Sequence, residues 1–277
     1  MNNKDVSVES YRQFGEFLQQ QCGISLGDNK QYLVRSRLAS LMHQFNFDSM
    51  DALIAGTIRG GNRSLLQAVL DAMTTNETLW FRDSYPYELL INTIFPALTA
   101  QNRRLRIWSA ACSSGQEPYS IAMSVLEYQR TRPGSLRSGV EIVGTDISSS
   151  MLDKCNKGTY DELSLSRGLS AERRQRYFKA NGGGMQEVIP EVKRMVSFRS
   201  LNLLNSYAGL GRFDIVFCRN VLIYFPADVK TKILQQIAAQ LQPGGILFLG
   251  ASESIGEAAS LFSMVKCHPG LYFQKKG

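Results

Sequence analysis

The chain has 277 residues, 44% of them hydrophobic, which is enough to bury one large core or two unequal ones and excludes a disordered or fibrous chain. Its formal net charge of +7 is unevenly placed, residues 1–100 summing to −2 and residues 101–277 to +9, so the second part suits an anionic partner. The stretch MNNKDVSVES lacks the basic segment and apolar run of a signal peptide, and no apolar run approaches the roughly 18 residues of a membrane span. A cytoplasmic protein without membrane insertion is expected. The five scattered cysteines include no C-x-x-C pair, so small, buried, reduced side chains are expected, with neither a disulfide framework nor a metal site.

Residues 1–75 read as a small all-α domain. Tyr11, Phe14, Phe17 and Leu18 share one helical face, and Leu33, Val34, Leu38, Leu41 and Met42 share another. Lys30, Arg35 and Arg37 fall among or beside the second set, as a solvated face or as a binding surface. The breaks GISLGDNK and RGGNR separate helices of ordinary length. Residues 76–100 read as a linker and connecting helix, with Pro86 starting a helix that runs toward Phe95.

From residue 101 a different rhythm begins. The apolar runs LRIWSAA, EIVGTDI, MVSFRSLNLL, FDIVFCRNVLIYF and GILFLGASE predict strands, with helical patterns at 117–129 and 228–241. Strands this apolar, alternating with helices, require a parallel sheet covered on both faces, the doubly wound α/β architecture. About 48 residues separate Asp146 from the strand at 195, more than one crossover needs, so an inserted subdomain is expected at about 165–200, containing the basic run ERRQRYFK and the turn NGGG.

In such sheets the ligand lies beyond the carboxyl ends of the strands, which selects the loop at 112–117, Asp146, Asn202 with Leu203, and Cys218-Arg219-Asn220. Asp146 suits the two hydroxyls of a ribose, or a cap on the helix near Ser148. The loop in IWSAACSSGQEPYSIA has one glycine, Gly115, where a pyrophosphate cradle needs several, and Glu117 at the helix start repels a phosphate. The same Glu117 attracts the ammonium and sulfonium of S-adenosylmethionine, and Gly115 is expected to leave room for the methionine portion of that cofactor.

Six ordered motifs, TTNETLWFR, WSAACSSGQEPYSIA, GTDIS, SFRSLNLL, FDIVFCRNVLIYF and QPGGILFLGASES, carry a resemblance to the CheR-type chemoreceptor glutamate O-methyltransferases from about Tyr11 to Phe273. The resemblance implies a Rossmann-like class I methyltransferase sheet with a small antiparallel β insertion, preceded by the helical domain. It implies cofactor contacts by Asn76, Thr78 and Arg82 from the connecting region and by Glu117 near the methionine end. Asp146 corresponds to the ribose ligand, Asn202 and Leu203 to the adenine-side contacts, and Arg219 and Asn220 to the contacts after the fourth strand. The product would be S-adenosylhomocysteine.

The acceptor implied is a glutamate carboxylate, which at neutral pH is already a nucleophile, so the enzyme needs placement and exclusion of water rather than a general base. Arg82, Arg219 and Tyr224 are candidates to hold one carboxylate oxygen while the other attacks; for Tyr224 a packed aromatic at a strand end stands beside that role. The implied partners are the Glu-rich methylation helices of chemoreceptors, met through Lys30, Arg35, Arg37 and the basic insertion. NGGGMQEVIP is shorter than the glycine-containing loop of family members that tether to a receptor's C-terminal pentapeptide, so no such tether is expected, and the protein is expected to be a monomer. CRNVLIYF lacks the proline pair of exocyclic-amine methyltransferases, which argues against a nucleic-acid substrate. A non-catalytic sensor of the same cofactor remains open, and the missing glycines speak against a nicotinamide dehydrogenase.

Overall fold

The computed structural model describes residues 5–100 and 103–277; Met1–Lys4, part of the stretch read for a signal segment, and Gln101 and Asn102, at the start of the second part, lie outside the described residues. Four helices open the chain: α1 (Val8–Cys22), α2 (Gln31–Gln44), α3 (Met50–Arg59) and α4 (Arg63–Met73). Three begin at residues whose side chains accept the third following amide, Ser7 for α1, Ser49 for α3 and Asn62 for α4. Phe14, Leu18, Val34, Leu38, Leu53 and Val69 meet in their shared core, the helical spacing having put them on inward faces. The connecting segment forms α5 (Tyr85–Leu89) and α6 (Phe95–Thr99) around a π-helical middle, Leu90–Ile94.

The second part is built on a seven-stranded sheet. Its strands are β1 (Leu105–Ala110), β2 (Val140–Asp146), β6 (Val196–Ser200), β7 (Phe213–Cys218), β8 (Leu241–Leu249), β9 (Phe262–Cys267) and β10 (Gly270–Lys275), in the order β6-β2-β1-β7-β8-β10-β9. The first five pair in parallel, and β10 runs antiparallel to both its neighbours, β8 and β9. Alternate residues feed two cores: Ile107 and Ile215 on one face, Trp108 and Val216 on the other. Helices α7 (Gln116–Thr131), α8 (Ser149–Lys157) and α12 (Ala227–Gln240) follow β1, β2 and β7 in the chain. The central β7 is buried at all six positions, whereas the edge strand β6 alternates half-buried with exposed.

Between α8 and β6 lies a three-stranded antiparallel sheet, β3 (Thr159–Tyr160), β4 (Phe178–Ala180) and β5 (Gln186–Val188), with helices α9 (Glu162–Ser166), α10 (Ala171–Tyr177) and α11 (Pro190–Lys193). It draws on residues 159–188, earlier than the stretch expected from sequence, and Val196–Ser200 pairs with β2 in the main sheet. Trp80 locks it to the connecting region: its backbone N–H donates to Arg167 (3.0 Å), its indole donates to the Ser164 carbonyl (3.1 Å), and its ring meets Tyr160 and Phe178 edge-on. The hairpin β9–β10, which no sequence signal announced, has no clear apolar alternation to reveal it, and the expectation of buried cysteines fails at Cys267 within it, which is half-exposed.

The helical domain docks by directed polar contacts. Asp71, near the end of α4, accepts from the Ser149 backbone (3.1 Å), the Ser149 hydroxyl (3.0 Å) and the Ser150 backbone (3.1 Å), so one domain caps the first turn of α8 in the other. Gln67 donates to the Ile147 carbonyl at 3.1 Å, and Asn202 donates to the Gln21 carbonyl at 2.6 Å. Gly23, left-handed at φ 76° after α1, leaves space that Phe225 occupies; a Cβ there would stand 2.5 Å from its ring. Among the described residues no helix is long and apolar enough to cross a membrane.

Candidate active site

The carboxyl ends of β1, β2, β6 and β7 open into a cleft whose space, open mouth included, is about 1040 Å³. The structure brings Asn76, Thr78, Arg82, Glu117, Asp146, Asn202, Leu203, Arg219, Asn220 and Tyr224 to its walls. It adds residues that no sequence pattern marked: Cys22 and Ile24 from the helical domain, Met73, Thr74 and Thr75 from the end of α4, and Val221 and Phe225 beyond β7.

Two carboxylates dominate the floor. Asp146 accepts the Ser113 amide on one oxygen (2.7 Å) and the Ser148 amide on the other (2.9 Å), which leaves acceptor capacity on both for a pair of hydroxyls. The helix cap is Ser148, whose hydroxyl accepts the Met151 amide, so Asp146 orders the loop before α8 rather than capping the helix itself. Burial pushes its carboxyl above the usual range, against the lowering effect of the amides. Burial also raises Glu117, which Arg219 and the Ser109 hydroxyl (2.7 Å) oppose.

Arg219 is 1% exposed, and its guanidinium is held by Glu117 (3.2 Å), Asp83 and the Arg82 carbonyl (3.0 Å). It therefore neutralises and orients Glu117 from within the wall instead of reaching toward an acceptor. The cluster of one cation and two carboxylates is net negative. Arg82 differs: half-buried on the cleft wall, it makes one long contact, 3.4 Å to the Glu77 carbonyl, and has no carboxylate partner among the described residues.

The connecting region reaches the cleft because Arg37 holds it there, donating to the carbonyls of Met73 and Thr74 (2.5 and 3.3 Å) and to the Thr75 hydroxyl (3.0 Å). Arg37 is thus an internal clamp, not part of a free basic surface. Asn76 donates to Thr74 (3.1 Å), and its carbonyl accepts the Ser113 hydroxyl (2.8 Å), which ties this strand of the wall to the loop after β1. The Asn202 amide is engaged with Gln21 and Leu204, so it shapes the wall between the domains, and Leu203 beside it is buried. Tyr224 is half-buried in a 3-10 turn, Leu222–Tyr224. Asn220 is left-handed, φ 58°, and its buried side-chain oxygen has no partner among the described residues.

Gly115 corrects an expectation. It precedes α7 at φ 93°, and a Cβ on it would lie 3.1 Å from the Cys155 sulfur and 3.1 Å from the Tyr160 hydroxyl. Glycine is required by the turn and by packing against α8 and β3, and it makes no room in the cleft. The basic insertion likewise presents few free charges: Arg173 is paired with Glu127 (2.9 Å), Arg174 with Glu162 (2.5 Å), Arg176 with Glu172 (3.0 Å), and Lys179 and Lys193 with Glu187 (3.6 and 3.1 Å). Lys30 is exposed, and Arg35 is paired with Asp5 at 2.7 Å.

The walls fit a cationic adenosine. Asp146 offers acceptors for a ribose, Cys22, Ile24, Ile147 and Leu203 offer apolar surface for a base, and Glu117 offers negative charge for a cation. A phosphate finds there one buried carboxylate, Asp146, and one largely enclosed, Glu117, instead of free amides. Residues 76–271 match the family model described as CheR methyltransferase, SAM binding domain, and residues 9–74 that described as CheR methyltransferase, all-alpha domain. The chain is 55% identical to Chemotaxis protein methyltransferase 1 of Vibrio cholerae serotype O1 over 98% of both chains. It is also 55% identical to Chemotaxis protein methyltransferase 1 of Pseudomonas aeruginosa, over 95% of this chain and 96% of that one.

Proposed function

Because the chain belongs to the CheR methyltransferase family and is an S-adenosylmethionine-dependent methyltransferase of chemotaxis, we propose that its acceptor is the side-chain carboxylate of glutamates on the cytoplasmic helices of chemoreceptors. When bound, the cofactor supplies an electrophilic methyl group on a sulfonium; the protein supplies placement and charge.

One observation carries the reading. Among the described residues, the three carboxylates on the cleft wall are all engaged, Glu117 with Arg219 and Ser109, Asp146 with two amides, and Glu77 with Arg167, and no histidine or lysine lines the cleft. Such a site has no free base to take a proton from an acceptor. It suits an acceptor that arrives ionised, and a glutamate, with an ordinary pKa of about 4.3, does so at neutral pH. Arg82 is the cation without a partner that such a group requires, and Tyr224 offers a phenol on the same wall. Arg219, enclosed by Glu117 and Asp83, is a positioning residue in this scheme. An exocyclic amine would find neither a proline-paired Asn nor an unpaired carboxylate.

Cofactor binding follows from the same geometry: Asp146 holds the ribose, Glu117 the cationic methionine end, and the wall of Asn202 and Leu203 with Cys22 and Ile24 lies along the base, while Asn76, Thr78 and Asn220 contribute polar atoms. Docking on Glu-rich receptor helices rests on Lys30, which is exposed, more than on Arg35, which is paired with Asp5, or on the insertion, whose charges are internally matched. Between β4 and β5 the chain turns tightly through Gly182–Gly184, with Met185 donating to the Gly182 carbonyl at 2.9 Å, which supports a receptor contact without tail tethering. The protein is proposed to act as a cytoplasmic monomer.

The test is methyl transfer from labelled S-adenosylmethionine to receptor cytoplasmic fragments. Label released by mild alkali and abolished by Glu→Gln changes in the fragment is expected. Base-stable label, or label on nucleic acid in preference to the fragments, would overturn the reading.

A further inference from the structure

Glu253 lies in the turn after β8, outside the cleft wall, and carries an unusual load. One oxygen accepts the backbone N–H of Asn220 (2.7 Å) and of Gly250 (2.7 Å); the other accepts those of Leu222 (2.7 Å) and Ile223 (3.3 Å). Among the described residues it pairs with no cation. Its approach depends on Gly250, where a Cβ would stand 2.7 Å from the Glu253 oxygen and 2.9 Å from the Asn220 nitrogen.

The four amides belong to two turns, and one of them is the start of the segment that presents Asn220 and Tyr224 to the cleft. That segment has little of its own to fix it: Asn220 is left-handed, a conformation that non-glycine residues adopt at a cost, and the 3-10 turn is three residues long. We propose that Glu253 is a positioning residue for methyl transfer, holding the Asn220–Tyr224 segment so that the unpartnered Asn220 oxygen and the Tyr224 ring face the reacting groups. The proposal rests on the methyl-transfer reading above. A carboxylate is required for it. Glutamine has one acceptor oxygen, and its amide NH2 would confront two of the four N–H groups, replacing attraction by donor-on-donor repulsion.

The expected signature separates placement from binding, because Glu117, Asp146 and Arg219 keep all their partners when Glu253 changes. In Glu253→Gln, single-turnover transfer at saturating cofactor falls about 30- to 100-fold, as expected for a displacement of about 1 Å in a reacting site, while the cofactor Kd shifts less than about fourfold. Amide exchange at Leu222 and Ile223 accelerates, and that of β7 does not. Glu257→Gln, which removes an exposed acid four residues beyond Glu253, leaves all three readouts at wild-type values.

A wild-type transfer rate in Glu253→Gln overturns the proposal, and so does a loss of rate matched by an equal loss of cofactor affinity or of protection throughout β7 and β8. If Glu253→Gln does not fold, Gly250→Ala displaces the same carboxylate with one methyl group and must give the same signature. A wild-type protein that methylates no receptor fragment sinks the methyl-transfer reading instead, while exchange at Leu222 and Ile223 still judges the hold on the segment; unchanged exchange in either variant refutes it.

Discussion

Glu117→Gln is the sharpest probe of the charge argument, because it alters charge at nearly constant volume. Glu117 is 13% exposed and Asp83 36%, and both pair with the same guanidinium of Arg219. Removing either leaves Arg219 with one carboxylate, so damage to the wall is comparable. Their effect on a cation in the cleft is not. Two unit charges about 6 Å apart attract by about 2.8 kcal/mol at an effective dielectric of about 20, and by about 0.7 kcal/mol at that of water. The first figure applies to the buried Glu117 on the cleft wall, the second more nearly to Asp83, which does not line it. Glu117→Gln is therefore expected to weaken S-adenosylmethionine binding about 30- to 100-fold, and Asp83→Asn about threefold. Isothermal titration on both variants, with thermal melts to confirm folding, measures the contrast. Equal losses in the two variants, or a loss under about threefold in Glu117→Gln, would refute the assignment of Glu117 to the cofactor's cationic end.

The pH dependence follows from burial, which sets the carboxyls of Glu117 and Asp146 above the usual carboxylate range. The ionised forms attract a cation, so cofactor affinity is complete above those raised values and is lost as pH falls through them. Stability of the free protein moves the other way: at a pH between the unfolded and folded values the folded state holds more protons, and these two groups disfavour folding less as pH drops. Titrations carried from neutral pH down to the acid limit of the folded protein check both signs, and a Kd that stays constant down to that limit would contradict the first. Asp71→Ala removes the cap that the helical domain places on α8; at about 1 kcal/mol for a cap, the melting midpoint should fall by about 2–4 °C. Cofactor affinity should weaken with it, since α4 carries Met73 and Thr74 into the cleft; an unchanged midpoint and Kd would show that the domains dock without this contact.

Much of the architecture was legible because local signals agreed with the tertiary outcome. The buried runs at β1, β2, β7 and β8 could only be interior parallel strands, and the residues just after them had to face the cleft, which is how Asp146, Glu117 and Asn220 come to light from sequence. The misreadings share one cause. Arg37, Arg173 and Arg174 look like free surface charge until their partners, carbonyls at the end of α4 and carboxylates many residues away, are placed beside them. Gly115 looks like a cleft residue until its missing Cβ is seen to face Cys155. Cys22 and Ile24 carry no signal, because their presence in the site depends on how two domains meet. Glu253 lies within the motif QPGGILFLGASES, but four amide partners divided between two turns about thirty residues apart leave no trace in spacing.

The composition of the cleft walls has a consequence for how the protein comes into being. Cys22 and Met73 arrive near the beginning of synthesis, Asp146 midway, and Arg219 and Phe225 near the end, while Glu253, which secures the Asn220 turn, follows later still. No partial chain emerging from a ribosome holds a complete cofactor site, and the helical domain, able to close its own core early, must wait for distant surfaces to reach it. With the cofactor site as proposed, cofactor binding stabilises only those copies in which both ends of the chain have found each other.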